Sequence, residues 1–309
     1  MRPVFIGGCE RSGTTLLGSM LGGHNDCLCV PEMQFKFNIL RLTASGDQNS
    51  VDTVNILRRL SDRSRFRIWE LDVASVTHKR LSCRELIEWI VTAYSQKVGK
   101  PAPAVWVDHT PANIRYAWTL LHLFPDAKMI HIIRDGRAVA ASILPLDWGP
   151  NGIDYAARFW AERLAYGLAA ESLWPDKVIR IRYEDLVQYP ENTSTELCKA
   201  LAINYESAMS QATGFQVPKY SASQHTLIGN APDRARVDAW MRELTSRQIE
   251  IFESIASDLL ESLGYVPKFG LHARRMSRME RIGSDLRELY KKELNRHRKH
   301  RRKKTTIPS

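Results

Sequence analysis

Cysteine is scarce and unpatterned in this 309-residue chain. Cys9, Cys27, Cys29, Cys83 and Cys198 form an odd set with no C-x-x-C pair and no histidine pair at zinc spacing. Neither a disulfide framework nor a zinc site is expected from them. Long apolar runs are missing too. Nothing approaches the roughly eighteen residues that would read as a membrane-spanning helix. The first apolar pattern starts at residue 3 with no basic leader or apolar segment before it, so no secretory signal is expected. These absences point to reduced thiols in a cytoplasmic protein. Net charge is absent from most of the chain: residues 1–270 carry 30 Lys+Arg and 30 Asp+Glu, and the formal +10 resides in residues 271–309, with 14 and 4. A globally basic, polyanion-coating core is therefore excluded. No internal repeat is found.

What is present is an alternation of short apolar strands with longer helical patterns. Strands are predicted at 3–7, 27–30, 104–108, 128–133 and 178–182. Helices are predicted at 13–23, 32–44, 82–98, 113–124, 152–173, 191–202 and 245–263. That order predicts an α/β fold, a three-layer α/β/α sandwich with a mainly parallel central sheet. Residues 45–100 read as an Arg-rich helical insertion covering the acceptor side of a site. Residues 1–270 form the expected domain. Residues 271–309 are expected to be a basic amphipathic helix with a disordered end, because Met276, Met279, Ile282, Leu286, Leu289, Tyr290 and Leu294 recur at helical spacing before a run of basic residues.

Two segments carry chemistry. The first follows the first strand, where Gly8 to Gly13 has the G-x-x-x-x-G spacing of a phosphate-binding loop and opens a helix. Backbone N–H groups and a helix N-terminus would face an anion there. The usual lysine is missing, since Thr14 stands in its place, and Arg11 inside the loop is the nearest fixed cation. The second follows the strand at 128–133: Arg134 at the strand end and Ser142 two helical turns on could converge on another anion. In such sheets ligands bind at the carboxyl ends of strands.

Together, in order and about 120 residues apart, these segments resemble the sulfotransferases that use 3′-phosphoadenosine 5′-phosphosulfate (PAPS). Residues 7–15 look like that family's 5′-phosphosulfate loop, and Arg134 with Ser142 looks like its 3′-phosphate pair. Arg11 to Thr15, Glu32, Leu123 to Lys128, Arg134 to Arg137 and Arg182 to Leu186 are most similar to the tyrosylprotein sulfotransferase branch and its bacterial relatives. The resemblance spans roughly residues 3–268. It implies a P-loop-like fold and PAPS as co-substrate with no metal. Arg11, Ser12, Gly13, Thr14 and Thr15 would hold the phosphosulfate, and Arg134 and Ser142 the 3′-phosphate. Tyr183 would lie near the nucleotide and Arg234 would close over it. Glu32 would be the general base. His109, where the branch has a lysine, would donate to the leaving group as imidazolium and favour mildly acidic pH. Trp148, in the Pro/Gly loop after Ser142, would line the acceptor cleft, while Trp106, Trp118 and Trp160 are core or loop anchors by default.

The acceptor stays open at this level: a peptide tyrosine by resemblance, or a carbohydrate, lipid or small-metabolite hydroxyl. An acidic partner or an anionic membrane surface would suit the basic tail, and a homo-oligomer is compatible with the sequence. A small kinase is the alternative enzyme. It would need a loop lysine and Mg²⁺ ligands, for which Asp108 after the third strand is the one candidate.

Overall fold

All five apolar patterns form strands, each within one residue of its expected limits. A computed structural model describes residues 1–43, 51–73, 76, 80–100, 103–224 and 228–306. Along the chain lie β1 (Arg2–Gly8), α1 (Thr14–Gly22), β2 (Cys27–Val30) and α2 (Lys36–Thr43). The short strands β3 (Val51–Asp52) and β4 (Arg80–Leu81) flank α3 (Thr53–Ser61) and α4 (Ser64–Arg67). Then come α5 (Cys83–Lys97), β5 (Val105–Asp108), α6 (Ala117–Leu123), β6 (Lys128–Ile133), α7 (Gly136–Ile143) and α8 (Ile153–Leu173). The last elements are β7 (Val178–Arg182), α9 (Tyr183–Gln188), α10 (Pro190–Leu201), α11 (Trp240–Glu243), α12 (Ser246–Ser262) and α13 (Arg278–Thr306). No described helix is long and apolar enough to cross a membrane.

The sheet has the order β2-β5-β1-β6-β7, and every pairing is parallel. Strand side chains alternate between its faces. Phe5, Leu28, Val30, Trp106 and Met129 pack on one face with α5 and with Trp69 and Phe66 from the insertion. Val4, Ile6, Cys27, Val107, Ile130 and Ile132 pack on the other with α1 and α10. Phe5, Trp106 and Phe124 meet with ring centroids 5.4–6.0 Å apart, an arrangement that contributes about 0.5–1.5 kcal/mol per pair beyond area burial. The 45–100 segment is thus part of the core as well as a cover; its residues 45–50, 74–75 and 77–79 lie outside the described set.

Three elements depart from the sequence reading. The helix expected from 32 begins only at Lys36, because the Met33 N–H is taken by Thr110 Oγ1 at 2.9 Å and holds residues 31–33 as loop. The helix expected from 113 opens as a 3₁₀ segment, Pro111–Tyr116. There the Asn113 amide donates to the carbonyls of Ile6 and Asp108, at 3.0 and 2.9 Å. Helix α13 runs through the basic tail to Thr306, where a disordered end is expected. Arg302 anchors it to Asp147 and to the Tyr220 carbonyl. Trp106 and Trp160 are buried as expected, whereas Trp118 is exposed and packs against His122 and Trp174.

Candidate active site

The carboxyl ends of all five strands face one cleft of about 620 Å³. Between β1 and α1 the chain turns sharply. Arg11 has φ 72° and Gly13 φ 99°, and a Cβ on Gly13 would lie 2.6 Å from the Tyr183 ring. Only glycine fits there, for both reasons. Gly13 is the N-cap of α1, and no side chain caps the helix. The first N–H groups of α1 are therefore open to an anion.

Two guanidiniums stand at that helix end. Arg11 Nε donates to Ser142 Oγ at 3.0 Å and its Nη2 to the Gln224 carbonyl at 3.0 Å. Arg134 is buried and donates to the carbonyls of Arg11 and Arg236, both at 3.0 Å. Its guanidinium lies 4.1 Å from the centre of the Tyr183 ring, and its Nε has no partner. Neither arginine makes an ion pair among the described residues. Burial, reinforced by Arg134 and Arg236, lowers the Arg11 pKa to about 10. Burial lowers that of Arg134 as well. Positive charge is thus concentrated here without a direct ion pair, at an energetic cost that an anionic ligand would offset. Arg137 is the contrast. Its fork binds Asp135 and Glu253, each at 2.7 Å, so it is a structural arginine.

Glu32 enters the cleft from the loop after β2, accepting from Gln34 Nε2 at 2.8 Å, with Arg65 at 3.9 Å. It is not on a helix N-terminus, so no helix dipole accounts for it. The loop is held from behind by a device the sequence reading missed. Lys36 and Asp108, both fully buried, pair at 2.6 Å, and Asp108 also accepts from the Thr110 hydroxyl and N–H. Lys36 keeps the Asp108 carboxyl below its usual pKa despite burial. Asp108 is thereby engaged, which removes the kinase reading's one candidate metal ligand. No local signal betrays this pair, since its members lie 72 residues apart.

The cleft brings together most of the residues named from sequence: Arg11, Gly13, Thr14, Thr15, Glu32, Arg134, Ser142, Trp148 and Tyr183. Three others lie elsewhere. Ser12 is fully buried in the turn, with its N–H on the Cys9 carbonyl and its hydroxyl unpartnered, and it does not line the cleft. His109 is buried beneath α1 and edge-on to Phe215, and neither ring nitrogen has a partner. Gly18 packs directly on it. Burial lowers its pKa, which disfavours the expected imidazolium. Arg234 is exposed and donates to the Gln188 carbonyl. Arg236, two residues on, lines the cleft in its place. The far wall adds residues not foreseen: Arg65 and Tyr220, which hydrogen-bond each other, and Lys299 and Arg302 from α13.

The fold and this cleft define an α/β protein with an anion-binding cleft at its strand ends, and comparison with known proteins gives the family. Residues 3–207 match the profile described as the sulfotransferase family, and the chain belongs to that family. It is 24% identical over 277 residues to a protein-tyrosine sulfotransferase of Drosophila melanogaster, covering 85% of this chain and 52% of that one. Protein-tyrosine sulfotransferase 1 of Danio rerio is 27% identical over 281 residues, covering 85% and 72%. The chain thus spans about half the length of the fly relative and most of the zebrafish one. Among solved structures, the sulfotransferase domain of the curacin biosynthetic pathway superposes with TM-score 0.58 at 19% identity, over 86% of this chain and 99% of that one. The sulfotransferase domain of the Synechococcus PCC 7002 olefin synthase gives 0.58 at 23%, over 86% and 95%. Both share the fold.

Proposed function

We propose that the protein transfers the sulfuryl group of PAPS to an acceptor hydroxyl, with a peptide tyrosine as the acceptor class. The observation that carries the reading is the pair Arg11 and Arg134: a half-buried and a buried cation without carboxylate ion-pair partners, joined through the Arg11 carbonyl, with Ser142 on Arg11, at an uncapped helix N-terminus. Arg11 and the N–H groups of Thr14 and Thr15 hold the 5′-phosphosulfate. Arg134 and Ser142 hold the 3′-phosphate, Tyr183 packs beside them, and Arg236 takes the part first given to Arg234. Glu32 accepts the acceptor's proton as the new S–O bond forms. The old S–O bond breaks towards the 5′-phosphate, whose growing charge Arg11 stabilises. The transition state is loose, as in phosphoryl transfer, so positioning and charge stabilisation supply most of the catalysis.

Tyrosine is favoured by the names of the relatives. Arg65 and Lys299 on the far wall support an acidic peptide around it. A cytoplasmic setting belongs to the same proposal and rests on five buried cysteines held as thiols rather than disulfides. The test is transfer of ³⁵S from labelled PAPS to a panel of acidic tyrosine peptides, saccharides and lipid alcohols. Label on tyrosine peptides, lost in the Tyr→Phe peptides, supports the reading. Label confined to saccharides or lipids would keep the enzyme class and replace the acceptor.

A further inference from the structure

The apolar periodicity of α13 faces away from the domain. A helix packed on a globular core normally buries its apolar stripe and leaves its polar side in water. Here the polar side is docked. Ser284 donates to Asp154 at 2.6 Å and Tyr155 to Asp285 at 2.8 Å. The Asn151 N–H donates to Glu288 at 2.7 Å, and buried Asn295 donates to the side chain of Asn151 at 2.8 Å. Arg302 completes the row on Asp147 at 2.9 Å. At about 100° per residue Ser284, Glu288, Asn295 and Arg302 lie opposite Met279, Ile282, Leu286, Leu289, Tyr290 and Leu294, with Asp285 at the flank; the six apolar residues are 39–81% exposed. The result is a continuous apolar strip about 24 Å long at 1.5 Å per residue, larger than scattered surface residues require.

Charge identifies the occupant. The sequence of α13 carries 12 Lys+Arg against 4 Asp+Glu. Arg287 borders the strip on one side and Arg296 on the other, and the same face continues into Arg301 and Lys304, all exposed. Glu293, the acid on that face, lies 3.5 Å from Arg296. A second copy docked strip to strip would bring like-charged flanks together. An anionic bilayer instead accepts the apolar strip between headgroups and neutralises its cationic borders. We propose that α13 is a peripheral docking helix that lays its outward strip into the headgroup layer of an anionic membrane. Lys299 and Arg302 of the same helix line the cleft, so docking holds that wall of the cleft at the lipid surface.

The test is co-sedimentation of the full chain with phosphatidylcholine vesicles, with and without phosphatidylglycerol. Wild type should bind the mixed vesicles, and the pure phosphatidylcholine vesicles far less. Leu286→Ser with Leu289→Ser should weaken binding to mixed vesicles about tenfold or more, given the apolar area removed. Its helicity and its affinity for adenosine 3′,5′-bisphosphate should be unchanged. No binding to anionic vesicles would overturn the proposal, and so would binding that the serine variant leaves intact, since the basic run alone would then suffice. A wild-type dimer that the serine variant dissociates would give the strip to a second copy instead. Should the variant lose helicity, hydrogen exchange of wild type carries the test. Vesicles should protect residues 279–294, and unchanged exchange there would overturn the proposal.

Discussion

Replacing Arg134 by Met should separate donor recognition from folding. The side chain is buried, stacks on Tyr183, bonds two backbone carbonyls and keeps Nε without a partner. The account assigns its charge to the 3′-phosphate. A charge-assisted hydrogen bond contributes about 1.5–3 kcal/mol, so at about 2–3 kcal/mol the affinity for adenosine 3′,5′-bisphosphate should fall about 30- to 150-fold. Stability of the ligand-free protein has opposing terms. Removing a buried cation that has no ion pair relieves desolvation, while the Arg11 and Arg236 carbonyls lose their donor at about 1–3 kcal/mol each. The thermal midpoint should therefore move modestly while affinity collapses. Adenosine 5′-phosphate, which lacks the 3′-phosphate, supplies the control, and its affinity should change by no more than a few-fold. Calorimetry with both ligands checks this. Equal losses for both would refute the reasoning, because Arg134 would then act only by holding the loop through the Arg11 carbonyl. No loss for either would refute it outright.

Glu32→Gln should lower kcat about 10²- to 10⁴-fold, as expected for loss of a general base, while bisphosphate affinity stays near wild type. A kcat within about tenfold of wild type in a steady-state transfer assay would remove Glu32 from the base role. Asp108→Asn strands the buried Lys36 charge, and the chain should lose about 3–5 kcal/mol in urea unfolding. Because the native Asp108 carboxyl titrates below its unfolded value, its stabilisation is present above about pH 4 and lost as pH falls through the lowered native pKa. The gap between wild type and variant should accordingly narrow in acid, and a pH-independent gap would contradict the pairing. Burial disfavours the charged form of His109, so kcat/KM should show no falling limb near pH 6.5 that His109→Asn removes; such a limb would restore the imidazolium donor.

The strands and the two anion motifs were legible because both are local. Apolar runs bounded by glycine, proline and charge specify β1, β5 and β6, and a glycine loop between strand and helix specifies its own turn. What escaped the sequence depends on contacts far along the chain. The Lys36–Asp108 pair joins the start of α2 to the end of β5, and neither residue is unusual in its own segment. His109 was read from its place where the resembled branch has a lysine, but Gly18 lets α1 pack onto it and bury it. Arg234 and Arg236 share one short 3₁₀ turn, Arg234–Arg236, and the sequence carries no sign of which side chain turns inward. The apolar periodicity of α13 was visible, whereas its outward direction followed only from the polar contacts with Asp147, Asn151 and Asp154.

The central claim is that this cleft recognises a nucleotide carrying phosphate on both its 3′ and 5′ positions. Isothermal calorimetry of wild-type protein with adenosine 3′,5′-bisphosphate, beside adenosine 5′-phosphate and Mg-ATP, tests it most directly. The account predicts that the bisphosphate binds at least tenfold more tightly than either other ligand, a difference of about 1.4 kcal/mol or more. A preference for Mg-ATP, or equal affinity for the bisphosphate and the 5′-phosphate, would contradict it.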